Sequence, residues 1–225
     1  MHMSGHPWPL FDVRLRTPHL ELRLPTDDDL LELVRVGRGG VVDENRTVFH
    51  FPWHTLPSPA FERSFLLHFW GNRTSWSPKA WTLSLALIER GHAVGIQAVT
   101  AGDFSVRRTV SSGSWIGRKF QGRGLGTEAR AAILALAFDG LGALAAESGY
   151  FEGNAVSARV SEKLGYLEIG DESVAVEGKR VREIKVRCTP ETWARDLVPV
   201  SIENLEPCLG LLGAAELSPE EWSTF

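Results

Sequence analysis

The sequence predicts one α/β domain (α+β by some schemes) built around a single mixed β-sheet. Strand-like and helix-like periodicities alternate along most of the chain, which is typical of this class. In addition, a strand at residues 110–116 leads into the turn Gly122-Arg123-Gly124-Leu125-Gly126, and an apolar-striped helix follows to about Phe138. A composition of 43% hydrophobic and 23% charged residues among 225 suits a globular protein.

The first part of the chain carries one strand and two helix signals. Leucines alternate with charged residues at positions 20–24, which predicts a half-buried strand. Thr26 precedes three aspartates, so we expect a helix that begins there and runs to about residue 36. Ser58-Pro59 precedes phenylalanines at helical spacing, which predicts a second helix. Those phenylalanines are Phe61, Phe65 and Phe69.

The rest of the chain continues the alternation. A hairpin is predicted at residues 81–98, and Asn154 is expected to cap a helix with Val156, Val160 and Leu164 as its buried positions. The further predicted strands are residues 144–151, 166–169, 173–176 and 184–188, and a short helix is predicted at 189–193. We predict one domain over residues 1–197 and a C-terminal extension over 198–225. The extension would dock on the domain or on a second subunit, which leaves a homo-oligomer open.

Composition argues against several classes of protein. The net charge of −4 does not favour nucleic-acid binding. The two cysteines, Cys188 and Cys208, form no C-x-x-C motif. We therefore expect a protein of the reducing cytoplasm with no metal site. No apolar run reaches the ~18 residues that a membrane span needs, so no membrane partner is expected.

The glycine-rich turn carries the clearest chemical signal. Glycines at a strand-to-helix junction let a ligand approach the backbone, and the free N–H groups that open a helix favour phosphate. The turn matches neither the G-x-x-x-x-G-K-[ST] nor the G-x-G-x-x-G pattern. It does fit Q/R-x-x-G-x-G/A, with Gln121, Gly124 and Gly126 at the defined positions.

Two motifs together resemble the GNAT N-acetyltransferase superfamily. Q/R-x-x-G-x-G/A is the coenzyme A pyrophosphate signature of that family. The segment from Asn154 and Ser157 to Lys163-Leu164-Gly165-Tyr166 is similar to the N-x-x-S…K-L-G-[FY] segment of its ribosomal-protein-alanine acetyltransferase branch. The resemblance spans about residues 17–193. It implies a GNAT fold, which is a mixed, mostly antiparallel sheet with a V-shaped splay and helices on both faces.

The same resemblance implies an acyl-CoA cosubstrate and no metal. In such a fold the pyrophosphate would lie on the glycine turn, and a backbone N–H near Ile116 would hold the thioester oxygen. Asn154 would contact pantetheine, and Ser157 would protonate the leaving thiolate. The predicted cofactor-binding residues are Trp115, Ile116, Gly117, Gln121, Gly122, Arg123, Gly124, Leu125, Gly126, Thr127, Asn154 and Ser157.

The acceptor in this family is an amine that attacks the thioester directly, and only the neutral amine attacks. Removing the proton at neutral pH costs ~4 kcal/mol for a lysine-like amine and ~1 kcal/mol for an α-amine. A lysine-like acceptor therefore needs a catalytic base more than an α-amine acceptor does. The sequence offers Glu147, Asp103, His50 and His54 as candidates, and no spacing selects among them.

Three functions remain open at this point. The first is acetyl transfer from acetyl-CoA to a small-molecule amine or a protein N-terminus. The second keeps the fold but uses succinyl-CoA, because residues 8–12, Trp-Pro-Leu-Phe-Asp, resemble an actinobacterial GNAT group in which some members are associated with that donor. The third is a non-catalytic CoA-binding module. Turnover separates the third from the other two.

Overall fold

The computed structural model describes residues 6–42 and 47–215. Within this part of the chain, nine strands form one sheet, in the order β7-β8-β6-β5-β4-β3-β2-β1-β9. Every neighbouring pair is antiparallel except β5 and β6, which are parallel. The strands are β1 (Arg14–Arg16), β2 (Glu21–Arg23), β3 (Ala80–Glu89), β4 (His92–Gly102), β5 (Thr109–Ile116), β6 (Ala145–Phe151), β7 (Leu167–Val176), β8 (Lys179–Cys188) and β9 (Ser201–Glu203).

The sheet splits between its two parallel strands. Pairing of β5 with β6 covers only residues 109–111 against 145–147. Beyond that point the strands diverge, and the Ser148 hydroxyl donates to the Ser112 carbonyl at 3.0 Å where the split begins. The mostly antiparallel mixed sheet with a V-shaped splay, which the resemblance implies, is confirmed.

Helices cover both faces of the sheet. One face carries α1 (Asp27–Arg38) and α2 (Ala60–Thr74), whose leucines and phenylalanines form a buried cluster with Ala86, Ile88 and Ile96. The other face carries α4 (Leu125–Ala135), which continues as a π-helical segment at Leu136–Gly140. Two further helices are α3 (Phe104–Arg107) and α5 (Ala155–Lys163). The larger core cluster lies on this second face.

A capping box begins α1, as the threonine and aspartates predict. The Asp29 N–H donates to the Thr26 hydroxyl at 3.2 Å, and the Thr26 N–H donates to the Asp29 carboxylate at 2.7 Å. Burial of Asp29 opposes its ionisation, but hydrogen bonds from Arg23 and Thr26 outweigh burial and lower the pKa of this carboxyl. The carboxylate thus stabilises the fold at neutral pH, and that contribution is lost as the pH falls through the lowered pKa.

Replacing Thr26 with alanine is expected to destabilise the protein by about 1 kcal/mol, because it removes the acceptor for a helix N–H. For a chain of this size that corresponds to a melting temperature lower by about 2–4 °C. Thermal unfolding measures the effect. Thr26→Ser keeps the hydroxyl and should melt close to wild type, and an equal loss in both variants would show that the cap contributes nothing.

Several sequence-based expectations need correction. Strand β1 was not predicted, because three residues give too short a pattern. Residues 189–193 form a turn rather than a helix. Val156, predicted as buried, is 56% exposed and lines the main cavity, whereas Leu164 is fully buried. The extended segments 166–169 and 173–176 belong to one strand, β7, with a register shift between Glu168 and Gly170.

Residues 198–215 pack against the rest of the chain. Strand β9 pairs with β1, and Cys208, Leu211 and Leu212 join the larger core cluster. The Trp81 indole N–H donates to the Leu212 carbonyl at 3.0 Å. The last residues of the predicted extension, 216–225, lie outside the described residues.

Candidate functional site

A cavity of about 650 Å³ lies in the splay between β5 and β6. One wall is residues 112–116 of β5, and the opposite wall is residues 148–151 of β6. The glycine turn and α5 close it on the side of α4. Loop residues 48–50 and one residue of β8, Glu183, complete the lining. The predicted site residues that line it are Trp115, Ile116, Gln121, Gly122, Gly124, Leu125, Gly126, Thr127, Asn154 and Ser157.

The glycine turn presents bare backbone to this cavity. Gly122 and Gly124 have φ values of +75° and +83°, which favour glycine, and an added Cβ at either position would meet no atom within 4 Å. The N–H groups of residues 122–126 have no acceptor among the described residues. They open α4, whose dipole is positive at that end. The turn therefore offers an open cradle of donors for an anion such as phosphate.

Other side chains of the predicted motif hold the turn in place. The Gln121 amide donates to the carbonyls of Val41 and Ile116, each at 2.7 Å. Arg123 does not line the cavity, and its guanidinium pairs with Glu89, with one contact at 3.0 Å. These side chains position the backbone of the turn.

Two further residues of the predicted binding set contribute packing. Leu125 is 2% exposed and belongs to the larger core. Gly117 does not line the cavity, and a Cβ there would lie 2.4 Å from Val36 Cγ1, so glycine is needed for the packing of α1.

The open edge of β5 carries free backbone groups. The Gly117 N–H donates to the Val94 carbonyl at 2.9 Å, so Gly117 faces β4. Adjacent residues of a strand direct their backbone groups to opposite sides, so Ser114 and Ile116 face β6. Because β6 has diverged there, their N–H groups point into the splay. The Ile116 N–H is thus available in the splay, and its role as a donor to a thioester oxygen stays a prediction from the resemblance.

Asn154 and Ser157 lie together at the start of α5. The Asn154 side chain accepts the Ser157 N–H at 3.3 Å, which confirms the predicted cap. The Ser157 side chain lines the cavity, and no described residue hydrogen-bonds its hydroxyl. The cap thereby orients a hydroxyl toward the space between the strands.

Both predicted catalytic acids, Glu147 and Asp103, lie away from the cavity lining. The Glu147 carboxylate accepts from Arg187 at 2.6 and 3.0 Å on an adjacent strand. Asp103 precedes α3, at the end of β4 that pairs with the start of β5 and thus away from the glycine turn. Among the histidines, His54 meets Phe49 and Trp53 edge-on and does not line the cavity, and burial lowers its pKa. Of the four candidates only His50 lines the cavity.

The sequence reasoning missed Glu183, a carboxylate at the cavity wall. Its side chain is 7% exposed, lies 3.3 Å from His50 and is bonded to Lys185. In the sequence it stands within Arg182-Glu183-Ile184-Lys185, where it reads as an ordinary surface position of a strand. Only the folded position of β8 beside β6 reveals it, so no local signal could have identified it.

A buried arginine also faces the cavity. Arg130 of α4 is 5% exposed, and its guanidinium lies 5.8 Å from the Tyr166 ring and donates to the Ser161 hydroxyl at 3.0 Å. Its Nε has no hydrogen-bond partner, and no carboxylate among the described residues pairs with it. Burial lowers the pKa of this guanidinium. The other cations that line the cavity are Arg118, Arg159 and Lys163.

Neither a metal-binding cluster nor a membrane-spanning helix is present in residues 6–42 and 47–215. No three His, Cys, Asp or Glu side chains there are grouped as a metal ion would require. No helix there has the length and apolar character to cross a bilayer. Cys188 and Cys208 are both buried free thiols, and burial raises the pKa of Cys208 to about 12.

The sequence matches a known family. Residues 19–167 match the family model of the acetyltransferase (GNAT) domain. The matched segment contains the glycine turn, both walls of the splay, and Asn154 and Ser157. It also reaches the Gly165-Tyr166 end of the second motif.

Solved structures share the fold at low sequence identity. A GCN5-related N-acetyltransferase from Brucella melitensis is 20% identical, with a TM-score of 0.62 over 92% of this chain and 86% of that chain. An acetyltransferase (GNAT family) from Bacillus anthracis is 17% identical, with a TM-score of 0.63 over 79% and 99% of the two chains. The RimL ribosomal L7/L12 alpha-N-protein acetyltransferase in complex with coenzyme A is 12% identical, with a TM-score of 0.63 over 77% and 95%.

Proposed function

Because this chain belongs to the acetyltransferase (GNAT) family, we propose that it moves an acetyl group from acetyl-CoA to a primary amine by direct attack. The observation that carries the proposal is the open cradle of N–H groups at residues 122–126, set at the mouth of the splayed strands. The acceptor is a small-molecule amine or a protein N-terminus. The RimL structure, which contains coenzyme A, supports the nature of the donor.

The residues present fit an acyl-CoA cosubstrate, which supplies an acyl group activated as a thioester. The cradle takes the pyrophosphate, and Gly122 and Gly124 leave room for it because an added Cβ would point into open space. The cations Arg118, Arg159 and Lys163 add positive charge along the same cavity. Asn154 would hold the pantetheine arm in the splay, where β5 has free backbone groups.

Two groups of the chain would then act on the reacting atoms, and a set of aromatic residues would exclude water. The Ile116 N–H donates to the thioester oxygen and binds it more strongly as negative charge develops there. The Ser157 hydroxyl gives a proton to the departing sulfur. The aromatic residues Phe49, Trp115 and Phe151 line the cavity and keep water away from an amine that enters from the loop side.

A second donor, succinyl-CoA, is favoured by one observation. A buried guanidinium without a carboxylate is costly, and an anionic group in the adjoining cavity would offset that cost. Arg130 is such a group, and the terminal carboxylate of a succinyl chain is such an anion. Acetyl-CoA and succinyl-CoA would differ only in this contact, so their affinities can be compared directly.

Thermal unfolding with matched concentrations of CoA, acetyl-CoA and succinyl-CoA tests the donor. A ligand at ~100 times its Kd stabilises by ~2.7 kcal/mol, which raises the melting temperature by several degrees. We expect a shift with all three. If Arg130 binds the terminal carboxylate of the succinyl group, succinyl-CoA should bind at least about tenfold more tightly than acetyl-CoA. Arg130→Met should remove that difference in affinity.

The outcomes separate the two donors. Equal or tighter binding of acetyl-CoA in the wild type would eliminate the succinyl alternative. A succinyl preference that survives Arg130→Met would assign the carboxylate contact to another residue. No shift with any of the three ligands would contradict the proposed function itself.

A further inference from the structure

The cavity holds few groups that could accept a proton from an amine. Its described lining contains one carboxylate, that of Glu183, and one imidazole, that of His50. The family requires a neutral amine, and an alkylamine is protonated at neutral pH, so it must lose a proton on binding. The base for such an acceptor is therefore expected to be Glu183 or His50.

Glu183 is held against the β6 wall of the splay. In the register of β6 and β8 it lies opposite Phe151. A Cβ on Gly149 would lie 2.3 Å from its Oε1, so the carboxylate occupies space that only a glycine at position 149 leaves open. The side chain is 7% exposed, and its position is fixed by the strand rather than by a loop.

His50 lies directly over this carboxylate. Its Nε2 is 3.3 Å from both carboxylate oxygens, and its ring meets Phe151 edge-on, with centroids 5.0 Å apart and planes at 80°. The tautomer with the proton on Nε2 donates to Glu183 and leaves the Nδ1 lone pair free to accept. The His50 side chain is 62% exposed, so the ring can reach a bound amine.

The charges around the pair keep it anchored. Lys185 Nζ lies 2.9 Å from a Glu183 oxygen and 2.7 Å from Glu172 on β7. The described ionic contacts of the pair link His50 to Glu183 and Glu183 to Lys185, which also contacts Glu172. Glu183 therefore has one cationic partner in place and presents its remaining acceptor capacity to His50.

We propose that His50 is the general base of this enzyme, that Glu183 is its positioning residue, and that the site is built for primary amines that are protonated in solution. The inference rests on the proposed function and names its missing base. Phe49 and Phe151 give the cavity an apolar side for the acceptor's hydrocarbon part.

The reaction removes two protons from the amine nitrogen. His50 Nδ1 takes one proton from the ammonium group and later releases it to solvent. The freed nitrogen lone pair forms the bond to the thioester carbon, and the C–S bond breaks with its electron pair on sulfur. The Ser157 hydroxyl gives its proton to that sulfur and takes the second proton from the nitrogen. The products are an amide and a free thiol.

Two probe amines of similar size but different basicity test the base. A phenylalkylamine is protonated at pH 7. An alkylaniline, here a primary aniline with its alkyl group on the ring, is neutral at the same pH. His50→Gln should lower kcat for the phenylalkylamine by about 10²-fold and have only a small effect with the alkylaniline, because the second needs no prior deprotonation. Similar losses with both amines would indicate a structural role and overturn the proposal, as would an unchanged kcat with the phenylalkylamine.

The two probe amines also test Glu183. Glu183→Gln should lower kcat for the phenylalkylamine by about tenfold, because a neutral amide holds the His50 ring more weakly than a carboxylate does. The same variant should have only a small effect with the alkylaniline, which needs no prior deprotonation. His92→Gln is the matched control, because His92 pairs with Glu32 at 3.0 Å outside the described lining of the cavity. Similar losses with both amines, or an unchanged kcat with the phenylalkylamine, would remove Glu183 from this role.

The ring signals of His50 give a readout that does not need turnover. With CoA bound, adding the phenylalkylamine should shift the His50 ring resonances in an NMR titration and leave those of His92 unchanged. His50 signals that stay fixed up to saturating amine would overturn the inference. Failure of the proposed function looks different, since CoA would then produce no thermal shift and no acyl-CoA would be turned over with any amine.

Discussion

Replacing Gly124 with glutamate is expected to abolish coenzyme A binding. Gly124 has φ of +83° at the N-terminus of α4, and an added side chain would project into the cavity, since a Cβ there meets nothing within 4 Å. The new carboxylate would occupy the cradle formed by N–H groups 122–126 and would repel phosphate. We expect Kd for CoA to rise at least 100-fold, or about 2.7 kcal/mol, in a calorimetric titration.

Gly178→Glu is the matched control for this variant. Gly178 has φ of +74° in the turn between β7 and β8, and a Cβ there also meets nothing within 4 Å. The control introduces the same charge and similar backbone strain outside the cavity lining. It should bind CoA like the wild type. Comparable binding by Gly124→Glu and wild type would show that the pyrophosphate does not lie on the glycine turn.

Replacing Ser157 with alanine is expected to lower kcat by about 10²-fold while CoA affinity changes little. The hydroxyl lines the cavity and has no hydrogen-bond partner among the described residues, whereas the backbone N–H is held by Asn154. Alanine keeps that backbone hydrogen bond, so the helix start is preserved. The variant loses only the proton donor to the leaving sulfur.

Steady-state rates and CoA titrations together measure this effect. Ser157→Thr retains a hydroxyl and should recover part of the rate. If Ser157→Ala turned over at the wild-type rate, Ser157 would have no part in the chemistry. A large loss of CoA affinity with an unchanged kcat would instead make Ser157 a binding residue only.

The sequence was most informative where short motifs determine backbone geometry. Glycines with positive φ and the Asn154 cap are local features, so the cradle at residues 122–126 and the start of α5 could be predicted. The long alternating strands β3 and β4 were predicted for the same reason. Side chains within the motif were harder to interpret, since Gln121 and Arg123 bond to protein groups that are distant in the sequence.

The sequence could not select among the candidate bases, because their surroundings depend on contacts across the fold. His50 and Glu183 are 133 positions apart and meet only because the loop before α2 covers the end of β6. Glu147 looked suitable in a strand beside the splay, yet its carboxylate is bonded to Arg187. Val156 fitted a helical stripe, but the splay opens the space that its side chain faces.

Acyl transfer to an amine can be tested by measuring both of its products. The wild-type protein is incubated with the donor that stabilises it most and with a panel of primary amines, including the phenylalkylamine and a peptide with a free N-terminus. Free thiol and acylated amine are then quantified together. Both are expected to appear in equal amounts with the wild type, and Gly124→Glu should form neither. CoA binding without any acylated amine would contradict it and would indicate a non-catalytic CoA-binding module.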